Sequence, residues 1–115
     1  MPPDERDAAY LQDMLEAAQK VCSYVKGKTL RHYTDSALLR DAVERNVEII
    51  GEAARKVSSS LKSVHPEIPW RQMIALRNVL VHEYGVVKNE EMWEVATVHL
   101  PALVQALTPL IPPLQ

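Results

Sequence analysis

Apolar residues recur along this chain three or four positions apart, the rhythm of helices, and nowhere alternate as strands do. The first run is Leu11, Leu15, Ala18, Cys22 and Val25, joined by Met14 and Val21. It follows Pro2-Pro3 and the capping residue Asp4, and it meets a stop at Gly27. A first helix is predicted over about 5–26. A connection follows over 28–34, and Thr34 and Asp35 both offer caps for what comes next. Leu39, Val43, Ile50, Ala53, Val57 and Leu61, flanked by Ala42, Val47 and Ala54, then predict a second helix over about 36–61. Asn46 falls inside that stripe, where a buried amide needs hydrogen-bond partners. Ser58-Ser59-Ser60 should fray its end. The stretch 63–68 reads as a loop, with His65 exposed in it.

The third helix is predicted from Pro69 to Tyr84, closed by Gly85. A fourth starts near its cap candidate Asn89, with Glu90 and Glu91 well placed in the first turn. Trp93, Ala96, Leu100, Val104 and Leu107 form its stripe, Pro101 should kink or restart it, and His99 reads as surface. The residues 108–115 include three prolines and read as an irregular tail. Four amphipathic helices with short connections predict an all-α fold, an antiparallel four- to five-helix bundle. One domain is expected over 1–115, with its core at about 5–107 and apolar surface left for a dimer.

The third helix departs from ordinary amphipathicity. At roughly 100° per residue, Trp70, Ile74, Val81 and Tyr84 share one face, with Met73 at its edge and Leu76 and Leu80 widening one side. Arg77 sits in the middle of that stripe, and Asn78 and His82 form a ridge on the other side. A guanidinium cannot shed its charge, so it must find an anion or strong acceptors. Two readings of Arg77 are open: a structural pair with a carboxylate on a neighbouring helix, or an anion site, most plausibly for phosphate, with His82 beside it.

Composition narrows the rest. Charged residues make up 24% and apolar residues 47% of the 115 positions, as in soluble globular proteins. No apolar run is long enough to span a bilayer, and the polar N-terminus lacks a signal-peptide core, so no membrane role and a cytoplasmic location are expected. A single Cys22 excludes an internal disulfide. The formal charge of −2 argues against a broad basic surface, so any RNA contact should be local. No glycine-rich phosphate loop, zinc spacing or nucleophile elbow is present, and no cofactor is expected.

The stretch Arg77-Asn78-x-x-x-His82-x-Tyr84 resembles the signature of the HEPN superfamily, in its HepT-like branch. Glu44-Arg45-Asn46-Val47-Glu48-Ile49-Ile50-Gly51-Glu52-Ala53 resembles that branch's second-helix motif, Pro66-Glu67-Ile68-Pro69-Trp70 the start of its third helix, and Trp93 with His99-Leu100-Pro101 its last. The resemblance covers about 11–107. It departs at Val86-Val87-Lys88 and at His99, which stands where an acid is expected.

The resemblance implies a homodimer in which the Arg–His motifs of two protomers line one cleft. It also implies a metal-independent endoribonuclease acting as the toxin of a toxin–antitoxin pair. Its partner would be an MntA-like nucleotidyltransferase antitoxin that neutralises it by adenylylating the motif tyrosine, Tyr84. The chemistry agrees with the residue types. Cleavage without metal needs a base for the 2′-hydroxyl, an acid for the leaving 5′-oxygen and a cation for the phosphorane. An imidazole suits the first two and an arginine fork the third. Asn78 is placed to orient either His82 or the phosphate. Arg77 and His82 lie roughly 140° apart on one helix, which a two-fold axis would overcome. The alternative is a non-catalytic helical dimerisation module that binds a nucleotide or protein through the same cleft.

Overall fold

A computed structural model describes residues 3–82 and 87–111. The described residues are helices and turns, without strands. Helix α1 (Glu5–Val25) starts as expected, with the Asp4 carboxylate accepting from the Asp7 N–H at 2.7 Å. The chain leaves it through Gly27, whose φ of 74° is open to glycine and strained for other residues.

The connection after Gly27 is not irregular. It holds a short helix, α2 (Leu30–Asp35), under a reciprocal cap: Thr29 Oγ1 accepts from the His32 N–H, and His32 Nδ1 accepts from the Thr29 N–H. Helix α3 (Ala37–Lys56) is capped by Ser36, one residue past the two expected candidates.

The predicted 36–61 helix is broken at Val57-Ser58, and a second short helix, α4 (Ser59–Val64), follows. The cause lies 51 residues away. The buried Asp7 carboxylate accepts from the Ser58 N–H at 2.9 Å and from the Ser58 hydroxyl at 2.5 Å. Ser58 Oγ in turn accepts from the Leu61 N–H and starts α4. His65, expected in the open, is half-buried beside Glu67, and its carbonyl accepts from the Trp70 indole N–H.

Helix α5 (Trp70–His82) begins after Pro69; its expected end at Tyr84 and Gly85 lies outside the described residues. Lys88, not Asn89, precedes α6 (Asn89–Glu94). A π-helical turn over Val95–His99 and helix α7 (Leu100–Leu107) continue the same rod. Pro101, expected to kink or restart the helix, stands in the first turn of α7, and the chain stays helical through it. A proline N has no hydrogen to donate, and a widened turn just before it absorbs the mismatch: the Leu100 N–H reaches the Val95 carbonyl, five residues back. Thr108–Leu110 forms a 3-10 turn where the irregular tail was expected to begin.

The layering decides where the site falls. Helix α3 lies between α1 and α5, and α1 packs its other side on α7. Leu11, Met14, Ala18 and Val21 of α1 meet Val43, Val47, Ile50 and Ala54 of α3 in the core, which Ala96, Leu100 and Leu107 complete. Asn46 is buried and donates to the Ala42 carbonyl at 2.9 Å, which satisfies the amide inside its own helix. Helix α5 packs mainly on α3, and only Trp70 and Met73 of its apolar stripe are buried. Ile74, Leu76 and Leu80 are half-buried, and Val81 is exposed.

Candidate functional site

The site begins with a glycine. At Gly51, in the middle of α3, an added Cβ would lie 2.2 Å from Arg77 Cβ and 2.7 Å from the Met73 carbonyl oxygen. No side chain fits there, so α3 and α5 cross backbone to backbone. Arg77 leaves α5 at that crossing and reaches the next residue of α3. Its Nη2 lies 3.1 Å from Glu52 Oε2, and its Nη1 donates to Asn78 Oδ1 at 2.9 Å. The carboxylate that Arg77 required is thus on the neighbouring helix, and Asn78 steadies the guanidinium.

Glu52 is shared. Its Oε1 accepts from Arg55 Nη2 at 2.7 Å and lies 3.6 Å from Lys56 Nζ. The hydrogen bond from Arg55 is the main reason that the Glu52 carboxyl lies below its ordinary range; burial opposes it, and the charges of Arg55, Arg77 and Lys56 add to the lowering. The same bond raises the Arg55 guanidinium.

This cluster opens on a groove of about 210 Å³ between α1, α3 and α5. Tyr10 and Asp13 line it from α1, Arg45, Glu48, Glu52 and Lys56 from α3, and Arg77 and Val81 from α5. Lys56 Nζ sits 5.9 Å from the Tyr10 ring centroid. Acidic and basic side chains are evenly matched on these walls, unlike a channel built for a polyanion. On the other flank of α5 lies a larger groove of about 370 Å³. It is apolar and bounded by Met73 and Leu76 on one side and by Val95, Leu100 and Leu103 on the other.

Of the four expected site residues, the structure joins two. Arg77 and Asn78 touch, whereas His82, the last described residue of α5, is exposed and does not line the groove. Tyr84 lies outside the described residues. Among the described residues no three His, Cys, Asp or Glu side chains are grouped to hold a metal ion, and no helix is long and apolar enough to cross a membrane. Sequence reasoning missed Gly51 and Glu52 as parts of the site. The signal was there: a lone glycine inside a helix otherwise free of it, costing about 1 kcal/mol against alanine, marks a close approach.

Fold and site together define an all-α protein whose third long helix presents an arginine, an asparagine and a histidine at its outer end. The family described as "Ribonuclease HepT-like" matches residues 14–110, and the chain belongs to that family. Two relatives illustrate the match. A protein of Thermococcus cleftensis named "Probable ribonuclease HepT" is 33% identical over 94 residues, covering 82% of this chain and 86% of that one. A protein of Methanocaldococcus jannaschii named "Putative RNase" is 33% identical over 95 residues, covering 83% of this chain and 87% of that one. No solved structure matches.

Proposed function

We propose that this chain is an endoribonuclease that cleaves RNA without a metal ion, using Arg77 and His82. The observation that carries this reading is the Arg77–Asn78 contact on a helix that also carries the exposed His82, in a chain of a ribonuclease family. Arg77 binds the scissile phosphate and stabilises the charge that gathers on the phosphorane. Asn78 holds the guanidinium in place. His82 takes the 2′-hydroxyl proton and returns a proton to the leaving 5′-oxygen.

Because His82 and Arg77 point to different sides of α5, one protomer does not aim both at one phosphate. A homodimer supplies the missing geometry by bringing the His82 of a second copy toward Arg77. The half-buried Ile74, Leu76 and Leu80 and the exposed Val81 support this, since a second copy would cover them. The biological role that fits is the toxin of a toxin–antitoxin pair, with an MntA-like nucleotidyltransferase as partner and Tyr84 as the residue it adenylylates.

The test compares wild type with His82→Ala and Arg77→Ala on single-stranded RNA. Each variant should lose about 10²–10⁴-fold in rate with an unchanged helical circular dichroism spectrum. Cleavage by the wild type should survive EDTA. Full activity in His82→Ala would refute the mechanism. Control through Tyr84 is read by intact mass after co-expression with the transferase: an AMP-sized increase should appear in the wild type and vanish in Tyr84→Phe.

A further inference from the structure

We infer that Glu52 is a built-in competitor of the substrate phosphate: it occupies Arg77 in the free protein and is handed over to Arg55 and Lys56 when a phosphodiester binds. This rests on the reading of Arg77 as the phosphate-binding cation.

The geometry of the shared carboxylate is the first argument. Arg77 is not its tightest partner. Glu52 Oε1 lies 2.7 Å from Arg55 Nη2, while Oε2 lies 3.1 Å from Arg77 Nη2 and 3.4 Å from Arg55 Nε. Lys56 Nζ stands by at 3.6 Å. When Arg77 lets go, Glu52 keeps its shortest hydrogen bond and a second cation. An ionised group is expensive to strand without a partner, and here none is stranded by the exchange.

The second argument is charge. Three cations, Arg55, Lys56 and Arg77, converge on one carboxylate. The groove walls as a whole are balanced, but the groups in direct contact with Glu52 are three cations to one anion, so a phosphodiester can take one of them without leaving the carboxylate unpaired. Asn78 stays bonded to Arg77 Nη1 throughout, so the guanidinium remains placed while its anion changes. Access is the third. The side chains of Arg77 and Glu52 are 21% and 33% exposed, and both line the groove between α1, α3 and α5. The low-lying Glu52 carboxyl stays ionised through the neutral range, so protonation does not remove the competitor there.

A purely structural ion pair and a competitor differ in the sign of one measurement. Glu52→Gln keeps an oxygen acceptor for Arg77 and Arg55 but removes the charge. The probes are inorganic phosphate and a short single-stranded RNA carrying 2′-O-methyl groups, which cannot be cleaved, titrated into the full chain by calorimetry. Glu52→Gln should bind both more tightly, by roughly three- to tenfold at low salt, with the gain shrinking as salt rises. Adding Arg77→Ala should erase the gain. In cleavage assays the same variant should lower KM. Equal or weaker binding by Glu52→Gln overturns the proposal, as does a gain that persists without Arg77 or a failure of both proteins to bind either probe. Since the probes are not cleaved, loss of the ribonuclease reading would show separately, as absent cleavage of ordinary RNA.

Discussion

Helices α1 and α5 are both amphipathic, yet they are used in opposite ways. Of the 21 residues of α1, eight are buried, including Asp7. Of the 13 residues of α5, two are buried, though its sequence carries six aliphatic side chains besides Trp70 and Met73. The difference comes from neighbours. Helix α1 is clamped between α3 and α7, whereas α5 rests on α3 with a groove along each flank. A helix held on one side only is the part of a fold that can present groups to a ligand or a second chain. The segments that carry function tend to come from the less stable end of a structure.

That contrast can be broken by paired truncations. Leu11→Ala, at the fully buried centre of α1, should cost about 2–5 kcal/mol of unfolding free energy. Leu80→Ala on α5 should cost roughly 1 kcal/mol, since that side chain is only partly withdrawn from water. Urea denaturation followed by circular dichroism measures both. Equal losses would mean that α5 is as integral to the core as α1.

Gly51→Ala probes the close crossing of α5 on α3. Alanine is the better helix former by about 1 kcal/mol, but its Cβ has no room against Arg77 Cβ and the Met73 carbonyl. The expected result is a net loss of about 1–3 kcal/mol, together with weakened RNA cleavage as Arg77 is displaced. A stabilised and fully active Gly51→Ala would show that α5 shifts without consequence.

The smallest effect is expected at Tyr33, on the well-packed side of the molecule. Its ring is buried, tilted against Trp93 with centroids 5.8 Å apart. Its hydroxyl has no hydrogen-bond partner among the described residues, and burial, with the nearby Glu44 carboxylate, pushes it up to about 12. Tyr33→Phe keeps the packing and removes an unsatisfied polar atom, so the melting temperature should stay level or rise, by at most about 1 kcal/mol in stability. A large drop would reveal a partner for that hydroxyl in solution.

These particulars also mark how far the residues could be read without coordinates. The stripes of α1 and α3 were legible because burial on one face imposes a 3.6-residue period. The stripe of α5 was equally visible, but its exposure was not, since periodicity records which face is apolar and says nothing about whether a neighbour covers it. Arg77 announced that it needed an anion. That the anion is Glu52 depends on the α3–α5 crossing at Gly51, a tertiary fact. The break at Val57-Ser58 was hidden for the same reason: three serines look like fraying until Asp7 is brought to them.

The Asp7–Ser58 contact has a consequence for the order of assembly. It joins the start of the first helix to the corner where α3 hands over to α4, closing a loop of 51 residues, and long closures come late because their entropy must be met first. The same serine starts α4 by accepting from the Leu61 N–H, so Asp7 braces the corner from which the chain runs on toward Trp70 and α5. The placement of the arginine at the mouth of the groove is therefore inherited from an aspartate at the far end of the chain.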